Sequence, residues 1–149
     1  MPRIRVPPRV QATMDIDRFK QQHVEILQGI AQLRRWAHAG IVGNAKEIAN
    51  GIADLSAVVK LHLAIEDRIL YPALQASQDT GLVRMGKVYQ EDMKGIASAY
   101  IAFSRRWSSA AAVAEKAEQF RTEANQVLKT LHQRMQKENT EFYPAIEAF

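Results

Sequence analysis

Apolar residues recur at intervals of three and four along most of the chain, the period of helices that each bury one face. In Ile48, Ile52, Leu55, Val59, His62, Glu66, Ile69 and Ala73 the period runs unbroken, so His62 and Glu66 fall on the same inward stripe as the aliphatic residues before them. A buried carboxylate without a partner costs on the order of several kcal/mol. Something must therefore face Glu66: a metal, another cation, or a shared proton.

The same patterning predicts four long helices. The first runs from about Asp15 to Ala39, with Phe19, His23, Ile26, Ile30 and Leu33 inward and Gly40 beyond its end. A second opens on Asn44 and Glu47, spaced as a capping box, and reaches about Tyr71, where Pro72 should end or kink it. A third spans about Gly81 to Trp107 on Met85, Val88, Tyr89, Ile96, Ala99 and Phe103. At 100° per residue Asp92 falls within that arc and Glu91 does not. Ser108 or Ser109 can cap a fourth, from Ala111 to Tyr143, with Phe120, Ala124, Val127, Leu131, Glu138 and Phe142 inward. The connecting turns are short enough for antiparallel neighbours, which predicts an all-α, up-down-up-down four-helix bundle over residues 15–149. Residues 1–14 read as a separate basic arm: Met1–Thr13 carries three Arg and three Pro, and Pro7-Pro8 forbids a helix through its middle.

Chemistry enters with the inward polar set His23, His62, Glu66, Asp92 and Glu138, at matching depth on four helices. Helical bundles use this arrangement to hold cations on their axis. One phrase also repeats: Glu66 to Ala73 reads EDRILYPA, and 72 residues later Glu138 to Ala145 reads ENTEFYPA. His38, beside Gly40, suits a helix C-terminus. His132 lies about 120° round its helix from Glu138, on a flank.

His23, the spacing His62-x-x-x-Glu66 followed by Tyr71-Pro72, and the second segment at Glu138 with Tyr143-Pro144 together resemble the hemerythrin-like (HHE cation-binding) family, from about Asp15 to the C-terminus. The resemblance implies a four-helix bundle around a non-heme di-iron centre, ligated mostly by His with two carboxylates. It also implies binding or sensing of O2, NO or iron itself. Asp92 stands where family members supply a third-helix ligand, usually His. Arg134, four residues before Glu138, stands where the family places another His.

Three carboxylates with neutral imidazoles carry a formal charge of −3, which one divalent ion plus Arg134 balances and which two divalent ions overshoot unless hydroxide or oxide bridges them. Two arrangements stay open: a dinuclear site with Arg134 swung outward, or one metal with Arg134 in the second place. The ligands suit iron or manganese, with zinc accommodated by the two His. The competing reading is a metal-free bundle whose His, Arg and carboxylates form a buried ion network in a structural or protein-interaction module.

The chain has no Cys, which excludes a disulfide scaffold, thiolate-ligated zinc and a Cys nucleophile. No nucleophile elbow, phosphate loop or separate acid–base pair supports a hydrolase or transferase. The formal charge of +4, with Arg34, Arg35, Arg105 and Arg106 flanking Trp36 and Trp107, admits nucleic acid as a partner. Without a binding motif, such dispersed charge reads as a solvated face. No apolar run approaches 18 residues and the N-terminus lacks a signal-peptide core, so the expectation is a cytoplasmic protein with no membrane partner; a homo-oligomer is compatible with it.

Overall fold

The computed structural model describes the backbone of residues 8–148 and the side chains of residues 16–148. Helix α1 spans Pro8–Gly40, α2 Ala45–Ile65, α3 Tyr71–Gln75, α4 Thr80–Arg106, α5 Ala110–Glu115, α6 Ala117–Lys137 and α7 Tyr143–Glu147. Two five-residue π-helical turns, Glu66–Leu70 and Glu138–Phe142, join α2 to α3 and α6 to α7. Among the described residues there is no strand.

Four boundaries differ from the sequence pattern, each for a local reason. Helix α1 starts at Pro8, not Asp15, because proline is tolerated in a first turn, where its missing N–H would go unpaired anyway. The first seven residues of the expected arm lie outside the described ones. Asn44 does not cap α2; its side-chain amide donates to the Gly40 carbonyl at 2.8 Å and closes the turn behind it. Gly40 makes that turn with φ of 135°, a conformation that side chains disfavour. Pro72 does not end its helix either. An α-helical proline ring clashes with the carbonyl four residues back, and the preceding π turn, closed by Tyr71 N–H to Glu66 C=O, lets the helix run on to Gln75. Pro144 is accommodated the same way, by Tyr143 N–H to Glu138 C=O. Finally, the fourth expected helix breaks at Lys116, between α5 and α6.

Close packing of α1 on α2 sets the register that the site uses. A Cβ on Gly51 would come within 2.9 Å of Leu33 Cδ2, and one on Gly29 within 3.0 Å of Leu55 Cδ1. Each leucine thus sits over the other helix's glycine, which makes the two helices antiparallel and brings Gln22 opposite His62. Tyr89 on α4 meets Arg134 on α6, and Trp107 at the end of α4 donates to Glu123 near the start of α6 at 2.7 Å, so these helices also run antiparallel.

The core is layered. One apolar cluster includes Ile26, Ile30, Leu33, Ile48, Ile52, Leu55, Val59, Met93, Tyr100, Phe120, Leu131 and Met135. A second gathers Ile16, Phe19, Leu70, Tyr71, Leu74, Tyr89, Phe142 and Tyr143. On α1, on α2 with its π turn, and on α6 with its π turn, the residues between the two clusters are His23, His62 with Glu66, and Arg134 with Glu138. All five are buried. A polar layer is therefore sealed between two apolar ones.

By length and composition the helical run Ala45–Gln75 could cross a membrane, with a mean hydropathy of 1.4 in its most apolar window. Alanines and isolated polar residues dilute the stretch, so it holds no uninterrupted apolar run of that length. Its placement is that of a core helix: Ile48, Ile52, Leu55 and Val59 are buried against the other helices, and it carries His62 and Glu66 into the polar layer.

Gly51→Val should cost about 1–3 kcal/mol through overpacking against Leu33. In a Leu33→Ala background the added cost should shrink well below that, a coupling that urea melts of the single and double variants measure. At high pH, Tyr100 should contribute its share of a different loss, beside Tyr71, Tyr89 and Tyr143, whose phenols burial also raises. Burial pushes the Tyr100 phenol up to about 12, against the effect of its hydrogen bond to Ser56. A folded pKa above the unfolded value of about 10 means that this stability is complete below pH 10 and disappears as pH rises towards 12. The loss is on the order of 2–3 kcal/mol. Tyr100→Phe should flatten the decline of stability between those pH values.

Candidate metal centre

Four ligand-bearing side chains meet in the polar layer: His23 from α1, His62 from the last turn of α2, and Glu66 and Glu138, each the first residue of a π turn. One ligand atom from each lies within 4.8 Å of the other three, and all four residues are 0–1% exposed. The two Nε2 atoms are 3.0 Å apart, and Glu138 Oε1 is 2.9 Å from His23 Nε2 and 3.7 Å from His62 Nε2. A π turn is a frequent feature of functional sites, and here each one starts at a glutamate of the repeated phrase.

Both imidazoles are held by their other nitrogen. His23 Nδ1 donates to Asn139 Oδ1 and His62 Nδ1 to Gln22 Oε1, each at 2.8 Å. Because the amide oxygens only accept, the proton belongs on Nδ1, and both Nε2 atoms aim inward as ligands. Tyr143 donates its hydroxyl to Glu138 Oε1 at 3.1 Å and lies 3.1 Å from His23 Nε2.

The two glutamates are equivalent in sequence and opposite in surroundings. Glu66 Oε1 lies against His62 Nε2, but not in hydrogen-bond geometry, and both Glu66 oxygens are buried without a hydrogen bond. Burial, then the charge of Glu138, pushes the Glu66 carboxyl above the usual range. Glu138 is held well below that range: burial opposes its ionisation, but His23, His62 and Arg134 outweigh it. For His62 burial works downward, yet Glu66 and Glu138 prevail and raise the imidazole to about 9. The centre thus favours positive charge between its carboxylates. The orphaned oxygens of Glu66 and the converging Nε2 atoms form a donor set that fits a divalent metal ion with N and O ligation.

Arg134 reaches inward. Its Nε donates to Glu138 Oε2 at 2.7 Å, one terminal nitrogen donates to the Tyr89 carbonyl at 2.8 Å, and the same nitrogen lies 3.4 Å from the Tyr71 hydroxyl. The guanidinium carbon stands 4.7 Å from the centroid of the Tyr89 ring.

Of the five residues singled out by the sequence pattern, the structure brings together His23, His62, Glu66 and Glu138 and leaves out Asp92. Asp92 is exposed, in an outer cleft that it shares with Ile96, Thr130, Gln133, Arg134 and Lys137. Counting Val88 and Ala99 as inward rotated the expected arc; both are exposed, whereas Tyr89, Met93, Tyr100 and Phe103 are buried. Asp92 lies about 80° from the centre of the true arc. His132 is half-buried near Arg34 and Gln136, away from the centre, and His38 is exposed in the last turn of α1. The sequence pattern did not mark Gln22, Asn139, Tyr71 or Tyr143 as site residues. Each is adjacent in sequence to a ligand or belongs to the repeated Tyr-Pro phrase, which was the available signal.

The family model for the hemerythrin HHE cation binding domain matches residues 14–146. Searches of curated proteins and of solved structures found no match. That span contains α2 to α6, both π turns and all four converging side chains, so the chain belongs to the hemerythrin HHE cation-binding family.

Proposed function

We propose that the protein holds iron through His23, His62, Glu66 and Glu138 and uses it to bind or sense O2, NO or iron itself. The observation that carries the reading is the pair of buried Glu66 oxygens without a hydrogen bond, one of them against His62 Nε2, in a layer where both Nε2 atoms are fixed from behind. A metal-free ion network with His62 protonated would still leave Glu66 Oε2 without a partner, which counts against a purely structural module. Iron held there supplies an affinity for diatomic molecules that no side chain in the layer has. Manganese and zinc suit the same ligands, so metal supply and site charge would decide occupancy.

The antiparallel pairings of α1 with α2 and of α4 with α6 support an up-down-up-down four-helix bundle in which α3, α5 and α7 extend the main helices. A cytoplasmic location belongs to the same proposal, and the absence of Cys is compatible with it.

Protein purified from iron-supplemented cells should contain iron by mass spectrometry, and His62→Ala and Glu66→Ala should each lose most of it. Metal content unchanged in both variants would defeat the assignment. Asn139→Ala removes the acceptor that orients His23 without touching a ligand. It should weaken metal affinity about 10–100-fold in a competition titration against a chelating dye.

A further inference from the structure

The number of ions is legible in the way Glu138 divides its two oxygens. Oε1 faces His23, His62 and Tyr143, on the side where the four ligands converge. Oε2 faces away and is taken by Arg134 Nε. For Glu138 to bridge two ions, the second would have to sit where the guanidinium now is.

Building on the reading of this centre as a metal site, we infer that it takes a single divalent ion and that the Arg134 guanidinium permanently occupies the place of a second. Three features hold Arg134 there. It spans Glu138 Oε2, the Tyr89 carbonyl and the Tyr71 hydroxyl, so its departure would leave the buried Glu138 Oε2 unpaired. Its guanidinium carbon lies over the Tyr89 ring, a favourable seat for a delocalised cation. It is only 4% exposed, at the floor of a cleft lined also by Asp92, Thr130 and Lys137.

The surroundings also lack ligands for another ion. On α4, the Tyr89 ring meets the guanidinium and Asp92 stands only at the exposed outer edge of the cleft beside Arg134, and the described residues contain no second group of three His, Cys, Asp or Glu side chains besides the one at the centre. Charge agrees with geometry. With neutral imidazoles, Glu66, Glu138 and Arg134 leave a formal −1, which one divalent ion turns to +1, a value a single hydroxide cancels. A second divalent ion would bring the sealed layer to +3 beside a fixed guanidinium, a large uncompensated buried charge.

The test uses the full chain loaded with manganese(II) alone, freed of excess metal by gel filtration, with metal counted by mass spectrometry and spin coupling read by electron paramagnetic resonance. The wild type should hold one ion per chain with the spectrum of an isolated ion. Arg134→His, which puts an imidazole four residues before Glu138 as His62 stands before Glu66, should exceed one ion and approach two, with a spin-coupled signal. Two coupled ions in the wild type would overturn the inference and leave the metal reading intact. A wild type that takes up no ion would overturn the metal reading beneath it. A folded Arg134→His that stays at one ion would show that Arg134 is not what excludes the second, and would overturn the inference as well. If circular dichroism shows that Arg134→His is unfolded, the wild-type count and spectrum decide alone.

Discussion

The structure turns on one electrostatic constraint: two carboxylates are buried in the same layer, and only one of them has a cation of its own. Glu138 has Arg134, with Tyr143 and His23 to complete its shell. Glu66 has an imidazole at its side and no hydrogen bond. In a low-dielectric interior such an imbalance persists only where another positive species balances it, a proton on the imidazoles or a metal ion among them. Placing the layer between two apolar clusters strengthens every interaction within it, because water cannot screen them.

Backbone geometry delivers the four ligands to one point. The Gly29–Leu55 and Leu33–Gly51 contacts fix α1 against α2 and thereby set Gln22 and His23 across from His62. The π turns at Glu66 and Glu138 make room for Pro72 and Pro144 while their helices continue beyond the glutamates. The repeated Glu…Tyr-Pro-Ala phrase therefore acts twice in the same way, and the copies diverge only through their partners. The residue four before Glu66 is a histidine, and the residue four before Glu138 is an arginine.

Much of this was readable from residue spacing. The stripe from Ile48 to Glu66 placed His62 and Glu66 inside, and the repeat placed Glu138 beside them; beyond Glu66 the π turn shifts the period, so Ile69, expected inward, is exposed and Leu70 is buried. The all-helical class follows from the same period. Failures came where spacing is a weak guide. On α4, small and half-exposed apolar residues blurred the arc, and Asp92 was drawn inward by Val88 and Ala99, which face solvent. Asn44 resembled a cap, but a side-chain amide can serve the helix before it as well as the helix after it. Proline was expected to end or kink its helix because its clash is local, whereas the remedy found, one widened turn, depends on packing. The state of Arg134 was open in the sequence, since a long basic side chain reaches either way; burial and three acceptors decided it.

The most direct test of the central claim, that this layer is a cation site built around Glu66, is urea unfolding at neutral pH across a series of manganese(II) concentrations, for wild type and Glu66→Gln. A ligand that binds only the folded state stabilises it in proportion to the logarithm of its concentration above Kd. The wild-type midpoint should therefore climb steadily with added metal while that of Glu66→Gln, folded but without the carboxylate charge, stays nearly flat. A wild-type midpoint indifferent to the metal, or an equal climb in both proteins, would contradict the account.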